Sequence, residues 1–246
     1  TEYVSWNWKA NGAGSSNTDG YINSTVSANT TAGFSIVTYT GNLSSSTSAT
    51  VGHGLGVAPK MIITKRLSHT SEWAVLHEDL TSWNYVCWLN DTDAQIDKSG
   101  NGSMSAPTST VFSTNYTNAL NVGGSTYVAY CFAEKTGYSK FGSYTGNGTN
   151  AGPFVYTGFK PSFLLLKEST STDNWLIMDN KRLGYNNRND VVFANLNNAE
   201  QGHDRIDLLS NGFKINNDDG SINQSGQTYI YMSFGQSLVG SNNEIG

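Results

Sequence analysis

Short apolar runs, broken by clusters of Gly, Asn, Asp and Ser, recur along the whole chain. In the first half they read FSIVTYTG, MIITK, WAVLHE, NYVCWLN, STVFST and STYVAYCFAE. In the second half they read SKFGSYTG, FVYTGF, SFLLLK, WLIMD, VVFAN, GFKIN and TYIYMSF. Tyr127, Ala129 and Cys131 alternate with Val128, Tyr130 and Phe132, the period-two pattern of a strand covered on both faces. Turn clusters such as SNG at 210–212 and NDDG at 217–220 separate the runs at the spacing of antiparallel sandwiches. Only 197–208 reads as a turn of helix.

The runs also repeat. Pro59–Lys65, PKMIITK, returns as PSFLLLK at Pro161–Lys167, 102 residues on (161 − 59). Trp73 meets Trp175, and STYVAYCFAE at 125–134 meets QTYIYMSFGQ at 227–236, at the same offset. YTGN at 39–42 meets YTGN at 144–147, with three residues of insertion or deletion between. Self-similarity of this kind outranks other signals in assigning a fold. It predicts an all-β chain of two tandem antiparallel β-sandwich modules, jelly-roll-like, at 33–136 and 137–246. TEYVSWNW at 1–8 fits the same template, with Tyr3 in register with Tyr127 and Tyr229, so it reads as the closing strand of a preceding repeat. Residues 9–33, rich in Ser, Thr, Asn and Gly, then read as a linker or an extended arm, which makes 1–32 a closing strand plus linker arm. PKMIITK itself reads as a buried central strand, with proline at its first position and lysine ending it at the surface.

Composition agrees. Charged residues are 13 % of the 246, near half the roughly 25 % of soluble domains, and aromatics are 12 %. The chain is poor in helix formers and rich in strand formers. A net charge of −5 without a cluster of Lys and Arg gives no footprint for nucleic acid or for an anionic membrane, so neither partner is expected. No apolar run approaches the ~20 residues that span a bilayer as a helix. Cys87 and Cys131 both lie in strand-like runs, and two cysteines are too few for a disulfide framework. Burial as free thiols and a single bridge both stand open.

Candidate chemistry is sparse. His77, Glu78 and Asp79 stand in a row at a strand end and would be the catalytic residues of a hydrolase or lyase, yet the second copy keeps only Asp179 there. No nucleophile motif or phosphate loop accompanies them. His53 sits between glycines, and no second histidine follows at metal-ligand spacing. The acidic clusters NDTD at 90–93 and NNDDG at 216–220 could ligate calcium, but they lack an ordered loop spacing, and turn chemistry explains them as well. No other metal or cofactor is expected. Aromatic residues are the better hint of binding: Trp73, Trp83 and Trp175 are candidates for stacking on a sugar ring, amid Asn, Ser, Thr and Tyr that suit carbohydrate hydroxyls. Trp73 and Trp175 occupy equivalent positions, and a shared core role is the competing reading.

With these phrases in hand the sequence resembles tail-fibre and related virion surface proteins of marine and cyanobacterial tailed phages. The resemblance is carried by SNTDGYINSTVSANTTAGFSIVTYTGN at 16–42, GHGLGVAPKMIITK at 52–65, STYVAYCFAEKTGYSKFGSYTGNG at 125–148, GPFVYTGFKPSFLLLK at 152–167 and LLSNGFKINNDDGSINQSGQTYIYMSF at 208–234. It departs after Phe234, where GQSLVGSNNEIG replaces the family's usual continuation. The resemblance implies a virion structural or adhesion protein (tail fibre, spike or capsid-surface fibre), located on the virion surface or extracellular. Its partners would be other virion proteins and its own copies, a trimer by preference, with host-surface glycans as ligands. A polysaccharide-degrading enzyme on a β-sandwich is the second expectation.

Overall fold

A computed structural model describes residues 3–182, 186, 189–203 and 205–235. In chain order its strands are β1 (Ser15–Asn17), β2 (Ser24–Asn29), β3 (Phe34–Thr40), β4 (Ser48–Gly52), β5 (Met61–Arg66), β6 (Trp73–His77), β7 (Tyr85–Trp88), β8 (Ile96–Asp97), β9 (Val111–Asn115) and β10 (Thr126–Phe132). They continue with β11 (Ser139–Thr145), β12 (Phe154–Tyr156), β13 (Pro161–Glu168), β14 (Trp175–Asp179), β15 (Asn189–Phe193), β16 (Gln201–His203), β17 (Ile206–Leu209), β18 (Gly212–Ile215) and β19 (Thr228–Gly235), with one helical turn, α1 (Gly220–Asn223), before β19. The fold is all-β, and the strand pairs of its ladders are antiparallel.

The chain divides into two compact units, Thr1–Ser71 with Ser99–Ala133, and Glu72–Lys98 with Glu134–Gly246. Residues 72–98 thus group with the second unit. Their own bonds explain it: Gln95 N–H donates to Ser169 O at 2.9 Å, and Asp173 N–H to Thr92 O at 2.9 Å. The indole N–H of Trp175 donates to Trp88 O at 2.8 Å.

In the first unit β1, β2, β3, β10 and β5 lie side by side, and β4 pairs with β9. In the second, β11, β19, β13, β14, β15 and β16 form one sheet, β12, β18 and β17 another, and β6, β7 and β8 lie in order. Both cores centre on stacked tyrosines. Tyr39 stacks on Tyr127 with centroids 5.2 Å apart, and Phe112 meets Tyr39 edge-on at 6.2 Å. Tyr144 stacks on Tyr229 at 5.0 Å, with Phe213 edge-on at 6.0 Å. Each pair is cross-strand in register, Tyr127 opposite Tyr39 and Tyr229 opposite Tyr144. Such pairs add roughly 0.5–1.5 kcal/mol beyond their buried area.

The buried hydroxyls need partners, and the loop before the closing strand supplies them. Tyr39 Oη donates to Leu120 O at 2.7 Å, and Tyr144 Oη to Ile222 O at 2.8 Å. Tyr127 Oη accepts Val122 N–H at 2.8 Å, and Tyr229 Oη accepts Gln224 N–H at 2.8 Å. A buried asparagine completes each brace, with Asn121 Oδ1 accepting Asn42 N–H and Asn223 Oδ1 accepting Asn147 N–H, both at 2.8 Å. The phrase YTGN is therefore explained residue by residue. Its tyrosine is the stacked ring and its asparagine meets the buried amide. Its glycine is compulsory, because a Cβ on Gly41 or Gly146 would lie 2.4 Å from Val122 O or 2.3 Å from Gln224 O.

Four expectations need correcting. Residues 9–33 are not a linker: they supply β1 and β2, and β2 pairs with β3 along its whole length. Tyr3–Trp8 form no strand, and Tyr3 is 92 % exposed, whereas Tyr127 and Tyr229 are buried; the segment is held by a ring contact instead, Trp8 meeting Phe132 edge-on at 6.0 Å. The described residues of 197–208 form no helical turn; they contain β16 and the start of β17, and the α-helical turn among the described residues is α1, capped by Asp219. The lysine of PKMIITK, Lys65, is half-buried, and its counterpart in PSFLLLK, Lys167, does not end its strand at the surface. Lys167 is 0 % exposed, and its ammonium donates to the carbonyls of Glu168, Thr92 and Ser171 at 2.6, 3.2 and 3.5 Å. Three carbonyls replace the water that a buried ammonium would otherwise need. Lys65 does the same more modestly, donating to Ser71 O at 2.6 Å.

Candidate functional site

The three tryptophans proposed for sugar contact have different fates. Trp175, on β14, is 1 % exposed, so its ring faces cannot stack on a ligand; the core reading is correct for it. Its indole N–H is consumed by Trp88 O. Trp83 is half-buried on the turn before β7, where Tyr85 N–H donates to Ser82 O at 3.0 Å. Trp73, at the start of β6, is half-buried and lines a shallow, mainly apolar dish of about 320 Å³ with Leu89, Asn90 and Ala194.

Hydrogen bonds fix that dish. Trp73 N–H donates to Asn90 Oδ1 at 2.8 Å, and Leu89 N–H donates to Trp73 O at 2.9 Å. The Asn90 amide nitrogen donates to the Glu72 carboxylate. Trp175 is framed identically: its N–H donates to Asn195 Oδ1 at 3.0 Å, and Ala194 N–H donates to Trp175 O at 3.1 Å. The same backbone frame therefore holds one sealed indole and one open indole. The open ring is set in apolar walls with an amide at the rim, an arrangement that can stack on the C–H face of a sugar while hydrogen bonding at its edge.

Of His77, Glu78 and Asp79, the residues of the catalytic reading, the histidine is held by backbone groups at both ring nitrogens. His77 is buried, and its Nδ1 accepts Asp79 N–H at 3.1 Å. Its Nε2–H donates to Tyr231 O at 3.1 Å. With both ring nitrogens on backbone groups, the imidazole is fixed as one neutral tautomer and presents no lone pair to a substrate. His53 is built the same way. Its Nδ1 accepts Leu55 N–H at 3.2 Å and its Nε2–H donates to Thr108 O at 3.1 Å. Burial lowers its pKa, against the opposing pull of the Thr108 carbonyl and Asp19.

Several members of the acidic clusters serve turns and caps. Asp91 Oδ1 accepts Thr92 N–H at 2.6 Å, and Asn217 Oδ1 accepts Asp219 N–H at 2.7 Å. Asp219 caps α1 through Ser221 N–H and pairs with Arg205 at 3.0 Å. Among the described residues no three His, Cys, Asp or Glu side chains gather where a metal ion could be held. Cys87 and Cys131 are free and buried, and burial pushes each thiol up to about 12.

Sequence reading missed the Lys167 carbonyl cage and an exposed aromatic pair, Phe154 and Tyr156, at 45 % and 64 % exposure on β12. Their alternation around buried Val155 was the available signal.

One family model, described as Domain of unknown function (DUF7483), matches residues 1–237. No curated protein and no solved structure matches the chain. The match runs through both units as a single stretch.

Proposed function

The chain belongs to the family described as Domain of unknown function (DUF7483); beyond that membership, we propose that it is a structural and adhesion protein of a phage virion. It consists of two copies of one β-sandwich module, assembles with its own copies and other virion proteins, and contacts host-surface glycan through Trp73. The resemblance of its phrases to tail-fibre and related proteins supports the virion role. The matching tyrosine–asparagine braces support the duplication.

One observation carries the glycan reading: Trp73 is half-buried and lines an apolar dish in the frame that seals Trp175. An apolar dish that folding leaves uncovered is a standing invitation to a ligand with an apolar face. The surrounding Asn-, Ser- and Thr-rich surface offers both donors and acceptors, as hydroxyl-bearing ligands need.

A glycan array probed with the full chain, followed by product analysis on every glycan bound, tests this. Binding without cleavage, weakened by about tenfold or more in Trp73→Ala, a loss of about 1.4 kcal/mol, and unchanged in Trp83→Ala, is the expected result. Unchanged binding in Trp73→Ala would refute the assignment of the dish, and release of oligosaccharide would replace adhesion with an enzyme.

A further inference from the structure

In the first unit the edge of β4 is covered by the chain's own residues 17–24. Ile22 bridges Val51 in parallel, and Ile22 N–H donates to Thr50 O at 2.9 Å. Tyr21 N–H donates to Thr50 Oγ1 at 3.0 Å, and Ser24 Oγ donates to Gly52 O at 2.9 Å. Asn17 lies so close to Gly52 that a Cβ there would meet its Oδ1 at 1.7 Å.

The second unit presents the corresponding edge on β12. Val155 faces Phe213 as Val51 faces Phe112, so Phe154 and Tyr156 stand where Thr50 and Gly52 stand. Thr157 N–H donates inward to Asn211 O at 3.0 Å, and Ile215 N–H donates to Pro153 O at 3.0 Å. Ladder alternation then turns the N–H and C=O of Phe154 and Tyr156 outward, away from β18. Among the described residues no segment pairs with that outer edge. The linker from β10 to β11, residues 133–138, is too short to supply the counterpart of 17–24.

We propose that the outer edge of β12 is a docking site for an extended segment of a partner polypeptide, added in parallel as residues 17–24 are added to β4. The interface is already established within this chain; among the described residues β12 carries its second instance without a covering segment. Tyr156 places a side chain where Gly52 leaves room for Asn17. The occupant is therefore small, Gly or Ser, over Tyr156, with apolar residues beside it to pack on Phe154 and Tyr156. Main-chain bonds to the edge supply affinity, and the two rings select the side chains. An unprotected edge of this kind otherwise invites uncontrolled pairing.

Two synthetic peptides with the sequence of residues 17–29, one of them carrying Asn17→Gly, are titrated into the full chain, with amide exchange as readout. The glycine peptide should bind about tenfold more tightly than its parent and slow exchange at Phe154 and Tyr156. Tyr156→Pro, which removes an outward N–H and leaves the β18 ladder intact, should abolish that protection. If that variant does not fold, Phe154→Lys, which charges the edge, serves in its place. Absence of binding by both peptides at millimolar concentration would overturn the proposal. So would protection confined to β4, self-association of the chain through β12 that Phe154→Lys removes, or oligosaccharide rather than peptide binding at Phe154 and Tyr156.

Discussion

Asn223→Ala should destabilise the second unit more than any other single amide truncation in it. The side chain is fully buried; Oδ1 accepts Asn147 N–H at 2.8 Å, and Nδ2 donates to Thr149 O at 2.7 Å and Asn217 O at 2.9 Å. Alanine leaves one backbone donor and two backbone acceptors without that partner. Each buried group left unsatisfied costs about 1–3 kcal/mol. If water reaches one of the three, about 2–6 kcal/mol remains, a large share of the roughly 5–15 kcal/mol that holds a typical domain together. The counterpart Asn121→Ala should cost less, about 2–3 kcal/mol: its Oδ1 accepts Asn42 N–H at 2.8 Å and Leu43 N–H at 3.3 Å, but its Nδ2 donates only to side-chain oxygens, Thr114 Oγ1 at 2.9 Å and Asn42 Oδ1 at 3.4 Å, which can turn to other partners. Urea unfolding, followed by the fluorescence of Trp175 and by circular dichroism, measures both. Two units need not melt together, so each probe is fitted separately. A loss below about 0.5 kcal/mol for Asn223→Ala, the scatter of ordinary surface substitutions, would refute the claim that the brace organises the core.

Further outcomes follow from buried charge and thiol chemistry. Cys87 and Cys131, with pKa values pushed up to about 12, should resist alkylation in the folded chain and react only after denaturation. Lys167→Met strips three carbonyls of their donor and should cost about 2–4 kcal/mol, with Lys65→Met costing less, both read by denaturant melts. Burial lowers the pKa of His53 in the fold, so the unfolded chain binds its proton more readily; its contribution is whole above about pH 6.5 and falls away as pH drops through that value. A flatter pH profile in His53→Asn than in the parent checks that sign. Glu168, buried with Oε1 unpartnered, has a raised pKa through burial and Asp173, against Lys167. Its contribution therefore weakens as pH rises, and Glu168→Gln should gain stability at pH 8 relative to pH 4.

The strands that carry large apolar residues were legible because period-two burial leaves its mark in any run such as TYVAYCF. Residues 9–33 were not, because β2 buries only Ser24 and Val26 and owes its place to backbone pairing with β3. Lys167 defeats a burial ranking that puts lysine outside, since nothing in PSFLLLK announces the carbonyls that surround its ammonium. The braces were half visible: Asn121 and Asn223 each stand six residues before the closing-strand tyrosine, in ALNVGGSTY and SINQSGQTY. Trp73 and Trp175 share the offset and a like backbone frame, but the burial of the Trp175 ring goes with the partner Trp88 O, which spacing does not encode.

An experimental structure of the chain, with 33–133 of the first unit superposed on 138–235 of the second, tests the duplication on which the rest stands. The account predicts that Tyr39, Phe112, Asn121 and Tyr127 overlie Tyr144, Phe213, Asn223 and Tyr229 with the same hydrogen bonds. Braces that bond to different groups, or tyrosines that do not stack in one unit, would contradict it.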